Sequence, residues 1–377
     1  MNVKASVFLG LAALSGFATA AAAAEPGFLE TIHRHTTLTS TVPANGDLNP
    51  YAVVVAPVST GVIHQNDVLV DNFNNISNLQ GTGTTIVDYN PTTRKVALFA
   101  KVPRQLTGCP GGVGLTTAMT MLKSGWIIVG STPSTDGTTK TMNNGCLIVL
   151  GANGKLAGTI SGPNITGPWG NMAVIDKGTR ATLFISMAGT VPGPDVKNAA
   201  TGDAVIVSKA TVLRLELSIP DGGPPVVTGQ TLVADGFGAQ ADKDAFMIGP
   251  TGLVMAPDGT TLYVSDAVGN RVVAIPEAPT RTTSAGRGRE ITKDGLLKRP
   301  LAMAMAPNGN LLVCNALNGQ VVEIDPRDGK QLYAQWIDNN QAQTPPGNGD
   351  LFGIVMAPDG KGFYYVEDDV NTVMEAR

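Results

Sequence analysis

Six oxygen-bearing side chains recur at matching places in this chain: Asp71, Asn72, Asp266, Asn315, Asp368 and Asp369 each follow a short apolar run. Carboxylate and amide oxygens are hard donors, suited to Ca²⁺ or to hydrogen bonds with a polar ligand. Asp71, Asp266 and Asp368 are the metal candidates of the set, and a divalent cation such as Ca²⁺ is the cofactor they would hold. Asp and Asn also cap turns through their own backbone, which is the commoner reason to find them at strand ends. Trp169, Asn171 and Phe352 stand just before apolar runs. The two aromatic rings can stack on a sugar or fill a core.

Nucleophile and base chemistry has little material. His33 and His35 alternate and would share one face of a strand, a weak transition-metal pair, and His64 is the only other histidine. No Gly-rich phosphate loop, Gly-x-Ser-x-Gly elbow or His-Glu-x-x-His motif is present. Of three cysteines, Cys109 and Cys146 are the disulfide candidate and Cys314 lies in an apolar strand; neither a Cys-x-x-Cys pair nor a haem attachment motif occurs.

The N-terminus has the layout of a secretory signal: Lys4, an apolar stretch over residues 7–18, and an alanine run ending at Ala24. The apolar core is about a dozen residues, short of the roughly 20 a bilayer span needs. Cleavage is expected near Ala24, leaving a single domain over residues 25–377 in the periplasm or outside the cell, with no transmembrane span. A monomer is expected. Formal net charge is -4 without a long basic run, so nucleic acid is not an expected partner.

The elements that position these residues are read from composition and repeats. With 45 Gly, 25 Pro and only 15% charged residues, the chain suits many short strands joined by tight turns. Gly252-Leu-Val-Met-Ala-Pro-Asp-Gly259, Ala302-Met-Ala-Met-Ala-Pro-Asn-Gly309 and Gly353-Ile-Val-Met-Ala-Pro-Asp-Gly360 align, with prolines 50 and then 51 residues apart. Each is an apolar strand and a turn in which Pro presets φ and Gly accepts positive φ. Second strands (262–265, 311–314, 363–366) and third strands (271–275, 320–324, 372–375) follow. A period near 50 built of four strands belongs to propeller blades.

The fold class is therefore all-β, a six-bladed β-propeller of four-stranded antiparallel blades, with blades at about 50–105, 112–161, 167–234, 249–292, 298–337 and 350–377. The last unit lacks an outer strand. Residues 31–42, rich in Thr and His, can supply it and so remove the open edges.

The run Leu262-Tyr-Val-Ser-Asp266, followed by Asn270-Arg-Val-Val273 and Ile275, resembles the NHL repeat and the wider six-bladed group of gluconolactonases and senescence marker protein. The resemblance implies the propeller fold, and for the lactonase branch a divalent metal in the central channel. That metal is held by a Glu, an Asn and an Asp heading first strands. Here Thr251 stands where the Asn would be, Leu301 follows Pro300 where the Asp would be, and no Glu heads a first strand. The family's metal site does not carry over.

In a propeller, the second-to-third connections and the blade-to-blade connections open on one face. Those second-to-third loops are short in blades four to six but long in blades one to three, at 71–84, 130–145 and 187–210. Long loops on a rigid scaffold carry recognition. The expected function is binding of a protein, peptide or carbohydrate there, through Asp71, Asn72, Trp169, Asn171, Asp266, Asn315, Phe352 and Asp368. The alternative is a divergent metal-dependent hydrolase of lactonase type, or a lyase.

Overall fold

The structure, a computed structural model, describes residues 1, 26–338, 340–349 and 351–377. The expected signal segment and its cleavage point lie outside the described residues, Met1 apart. No helix among the described residues is long and apolar enough to cross a membrane.

Six antiparallel sheets form the ring. A closing strand β1 (His35–Ser40) precedes blade one, which holds β2 (Leu48–Val55), β3 (Val68–Asn74), β4 (Thr85–Asn90) and β5 (Lys95–Lys101). Blade two holds β6 (Leu115–Met121), β7 (Ile127–Ser131), β8 (Cys146–Leu150) and β9 (Leu156–Ile160). Blade three holds β10 (Ala173–Asp176), β11 (Arg180–Met187), β12 (Val207–Ser218), β13 (Val226–Asp242) and β14 (Phe246–Ile248). Blade four has β15 (Pro250–Met255), β16 (Leu262–Asp266), β17 (Arg271–Ile275) and β18 (Arg289–Lys293). Blade five has β19 (Pro300–Met305), β20 (Leu311–Asn315), β21 (Gln320–Asp325) and β22 (Lys330–Trp336). Blade six is β23 (Leu351–Met356), β24 (Phe363–Glu367) and β25 (Thr372–Ala376), completed by β1 in the order β1-β25-β24-β23.

Closure by the N-terminal strand is thus as the sequence implies, with His35 opposite Ala376 and Ser40 opposite Thr372. A second attachment was not foreseen. Ahead of β1, Glu323 on blade five accepts the backbone N–H groups of Phe28 (2.9 Å) and Leu29 (2.8 Å), and the side-chain amides of Asn308 and Asn310. Leu29 and Ile32 are buried against blades five and six.

Inner strands are covered on both faces by neighbouring blades, so β3 and β6 are buried along their whole length, whereas β5 and β18 on the rim are mostly exposed. The packing is close where the inner strands meet. A Cβ added to Gly353 would lie 2.4 Å from the carbonyl oxygen of Tyr51, and one added to Gly252 would lie 2.5 Å from that of Leu301. The glycine that opens the repeats at 252 and 353 is there because the neighbouring blade's backbone occupies the space of a side chain.

Blade three departs from the four-stranded plan. Its strand β13 runs 17 residues and turns back through β14, adding a fifth strand between the bounds read from sequence for blades three and four.

Candidate functional site

Register fixes which residues face the channel. Pro50 pairs Asn72, Leu115 pairs Ser131, Pro168 pairs Met187, Pro250 pairs Asp266, Pro300 pairs Asn315 and Leu351 pairs Glu367. The next residue in each blade is Tyr51, Thr116, Trp169, Thr251, Leu301 and Phe352, one ring of six equivalent positions, none more than 1% exposed.

This ring is closed by aromatic packing. Tyr51 stacks on Phe352 at 4.0 Å between centroids and on Phe73 at 4.3 Å; Trp169 meets Phe73 edge-on at 5.6 Å. Phe246 completes the plug, 5.4 Å from Phe73 and 6.0 Å from Trp169. It is delivered by the β13–β14 hairpin and holds φ at +63°, a conformation that costs a bulky side chain energy. Of the two uses open to Trp169 and Phe352, stacking on a ligand or filling a core, the structure shows the second: both are buried floor, and neither is exposed to a ligand as a binding residue would be. Alternating inner-strand residues from six blades converge on the axis, and large apolar ones fill it.

The oxygen-rich set does not converge either. Asn72, Asp266, Asn315 and Glu367 are equivalent by register, and Asp71 precedes that position by one residue, so it points to the other face. Asn72 donates to the Thr41 carbonyl at 2.9 Å. Asp266 pairs with the Arg271 guanidinium at 2.9 Å and accepts the Gly269 N–H. Asn315 accepts the Lys298 N–H and donates to the Leu296 carbonyl, both at 2.9 Å. Asn171 donates to the Leu253 carbonyl at 3.0 Å. These contacts pin turns and incoming connections. Asp71 is fully buried; its Oδ1 accepts the Ala52 N–H, and burial pushes the carboxyl up to about 8. Asp71, Asp266 and Asp368 therefore do not form one cation site, and among the described residues no group of three His, Cys, Asp or Glu side chains is placed to hold a metal.

The histidine pair also separates: β1 begins at His35, whose Nδ1 lies 3.2 Å from the Tyr365 hydroxyl, while His33 precedes the strand and is exposed. His64 sits beside Asp67 at 3.3 Å in the β2–β3 connection. Cys109 and Cys146 are bonded, tying the connection into blade two to the start of β8, and Cys314 is free and buried.

Above the plug lies an open bowl of about 410 Å³. Blade one contributes Asn49, Asn74 and Gln80, the long β7–β8 loop Asp136, the β13–β14 tip Lys243 and Asp244, the β22–β23 connection Asn348, and the β24–β25 turn Asp368 and Asp369. Two of the three long loops singled out from sequence reach it. The third, β11–β12, packs on blade two's loop instead: Thr139 donates to the Pro192 carbonyl at 2.9 Å. The hairpin tip takes its place, held by Gln80, which donates to the Asp244 carbonyl at 2.9 Å, and by the Asp242–Arg299 ion pair.

The bowl is acidic and amide-rich: Asp136, Asp244, Asp368 and Asp369 outnumber Lys243. Hydrogen bonds led by that from Thr141 hold Asp136 below the usual carboxylate range. Burial, with the charges of Asp338 and Asp369, pushes Glu367 up to about 7. Burial, with Asp368, Asp242 and Asp71, raises the Tyr51 phenol well above its ordinary range, so it stays protonated.

Residues 221–337 match the family model of the SMP-30/Gluconolactonase/LRE-like region. That span runs from the start of β13 through blades four and five, and the resemblance to the gluconolactonase group holds there. No curated protein matches the chain in sequence. A gluconolactonase from Xanthomonas campestris superposes with a TM-score of 0.53 at 12% identity, over 91% of this chain and 88% of its own. A luciferin-regenerating enzyme superposes with a TM-score of 0.53 at 12% identity, over 89% and 94%. Two differently named activities at such low identity share the fold, and function has to be argued from the site.

The gluconolactonase-type metal does not fit the head ring of this propeller. The ring offers two threonine hydroxyls and one phenol but no carboxylate, and Thr116 and Thr251 already donate to backbone carbonyls at 2.9 and 3.1 Å. Hard divalent cations need more oxygen donors than that.

Proposed function

We propose that the chain is an exported propeller that binds a small, uncharged, hydroxyl-rich molecule of the sugar or sugar-lactone class in the bowl above its aromatic plug. The observation that carries this reading is the pair Asn49 and Asn74. Both residues line the bowl, and the Oδ1 atom of each is buried with no protein donor, so a ligand hydroxyl pairs with it once the side chain turns toward the bowl. A buried acceptor left unpaired costs about 1–3 kcal/mol, which a ligand hydroxyl recovers. The excess of carboxylates disfavours sugar acids and phosphates as ligands.

A second reading, hydrolysis of a bound lactone, is favoured by the match of residues 221–337 to the gluconolactonase-type family model. The comparisons support it better than a scaffold for a protein or peptide. The same acidic bowl would repel the carboxylate product. Any cation assisting such a reaction would rest on bowl oxygens rather than on the head ring.

Calorimetry and thermal shift on the mature protein with glucose, xylose and glucono-1,5-lactone, each with and without Ca²⁺, test both readings. Saturable binding that weakens in Asn74→Ala is expected; base uptake at constant pH with the lactone adds hydrolysis. No binding of any neutral sugar or lactone would overturn the proposal.

A further inference from the structure

The seam where the two ends of the chain meet contains a groove of about 490 Å³, far from the bowl, on the outer side of blades six and one. One wall is a single row across blade six, since Thr36 lies opposite Glu375 and Glu375 opposite Tyr364. The other wall is Tyr89 and the β4–β5 turn carrying Pro91 and Arg94, and Arg34 and Arg377 close the end. Tyr89 and Tyr364 present phenol groups from buried rings. Burial, more than the nearby charges, raises both phenols, so they remain donors at neutral pH.

The charges in the groove are unevenly matched. The Arg377 guanidinium takes both carboxylates in reach, Glu375 at 2.7 Å and Asp359 at 2.6 Å. Among the described residues neither Arg34 nor Arg94 has an ion-pair partner, and both are exposed.

The backbone under Arg94 is held in the left-handed region. Its N–H donates to the Asn90 carbonyl at 2.8 Å and its φ is +55°. Blade five has the same turn, Asp325-Pro-Arg-Asp-Gly329, in which the Gly329 N–H donates to the Asp325 carbonyl at 2.9 Å with φ at +76°. Glycine occupies that left-handed position without strain, whereas a side chain there is disfavoured. An arginine held at a glycine position, sharing one groove with a second arginine and two phenols, fits a tetrahedral oxyanion, since guanidinium binds phosphate through parallel N–H donors.

We infer that the blade-six/blade-one seam is a binding site for a phosphate monoester, with Arg34 and Arg94 as its charge partners and the volume beyond them taking the organic group. The test is calorimetry on the full mature protein with inorganic phosphate, phenyl phosphate and benzoate at two salt concentrations. Saturable binding of phenyl phosphate, tighter than inorganic phosphate or benzoate and weakened by salt, is expected. Because hydrogen bonds to charged groups are worth about 1.5–3 kcal/mol, Arg34→Ala with Arg94→Ala should lower affinity about tenfold or more. Arg94→Gly separates binding from folding: it should weaken phosphate binding while leaving the melting temperature unchanged or higher. Absence of saturable binding to either phosphate, binding unchanged in the double variant, or benzoate bound as tightly as phenyl phosphate would overturn the inference.

Discussion

The Asp71 carboxylate accepts the Ala52 N–H at 2.8 Å from the register position at which the Ser265 hydroxyl accepts the Gly252 N–H at 2.7 Å. In both blades the acceptor ties down the amide left over where the first strand bulges. Ser265 also donates onward to the Leu301 carbonyl, whereas the second oxygen of Asp71 is buried with no hydrogen-bond partner. A protonated Asp71 is the closer equivalent of serine, and burial raises its carboxyl to about 8.

A raised carboxyl binds its proton more tightly folded than unfolded. Stability is then greatest at low pH and falls as pH rises from the ordinary carboxyl range, about 4, through 8. Asp88 and Glu367, each raised to about 7 chiefly by burial, add to the same slope. Melting temperature should therefore be higher at pH 5 than at pH 8.5, and Asp71→Asn should reduce that difference by stabilising the protein at the alkaline end. A flat profile in the parent protein would refute this account.

The Cys109–Cys146 bond spans 37 residues of sequence. A loop of that length is worth about 3–4 kcal/mol through the unfolded chain. Reduction, or Cys146→Ser, should lower the urea midpoint accordingly, while Cys314→Ser changes nothing under oxidation because that thiol is free and buried. Free-thiol titration in denaturant, with one thiol before reduction and three after, checks the pairing.

Much of this fold is legible because its signals are local. Pro-Asp-Gly turns fix strand ends, and the missing fourth strand of the last unit points to β1. The β13–β14 hairpin escaped notice because residues 234–242, Ala-Asp-Gly-Phe-Gly-Ala-Gln-Ala-Asp, lack the β-branched pattern of a strand and are held extended by pairing with β12 and β14. The site was harder still. Aligning Asp71-Asn72 with Ser265-Asp266 shows that Asp71 and Asp266 face opposite ways, which strand ends alone conceal. The bowl is built by loops from four blades and a hairpin tip, and nothing local in sequence brings those together.

The N-terminal anchor makes its own prediction. Burial raises the Glu323 carboxyl, but donors from Asn310, Leu29, Asn308 and Phe28 overcome it and leave the group below its usual range. Such a group contributes stability above the ordinary carboxyl range that is lost as pH falls through its folded value. Glu323→Ala strands buried N–H donors and should cost about 2–4 kcal/mol. Hydrogen exchange should show residues 28–40 losing protection first, since that segment closes blade six. Uniform loss over all six blades would contradict a local latch.

Phe246 combines a large buried side chain with a backbone conformation suited to glycine. Truncating a buried phenylalanine costs about 3–5 kcal/mol. Replacement by glycine removes the same ring but relieves the left-handed φ, which for a side chain costs roughly 1–2 kcal/mol. Phe246→Gly should therefore be less destabilised than Phe246→Ala, the reverse of the usual order in a strand. Both should expose the plug, so quenching of Trp169 fluorescence by acrylamide should rise in each, because Trp169 now lies under Phe246 at 6.0 Å. If alanine proves the milder change, the hairpin tip relaxes on losing the ring, and Phe246 is not held in place by the plug it completes.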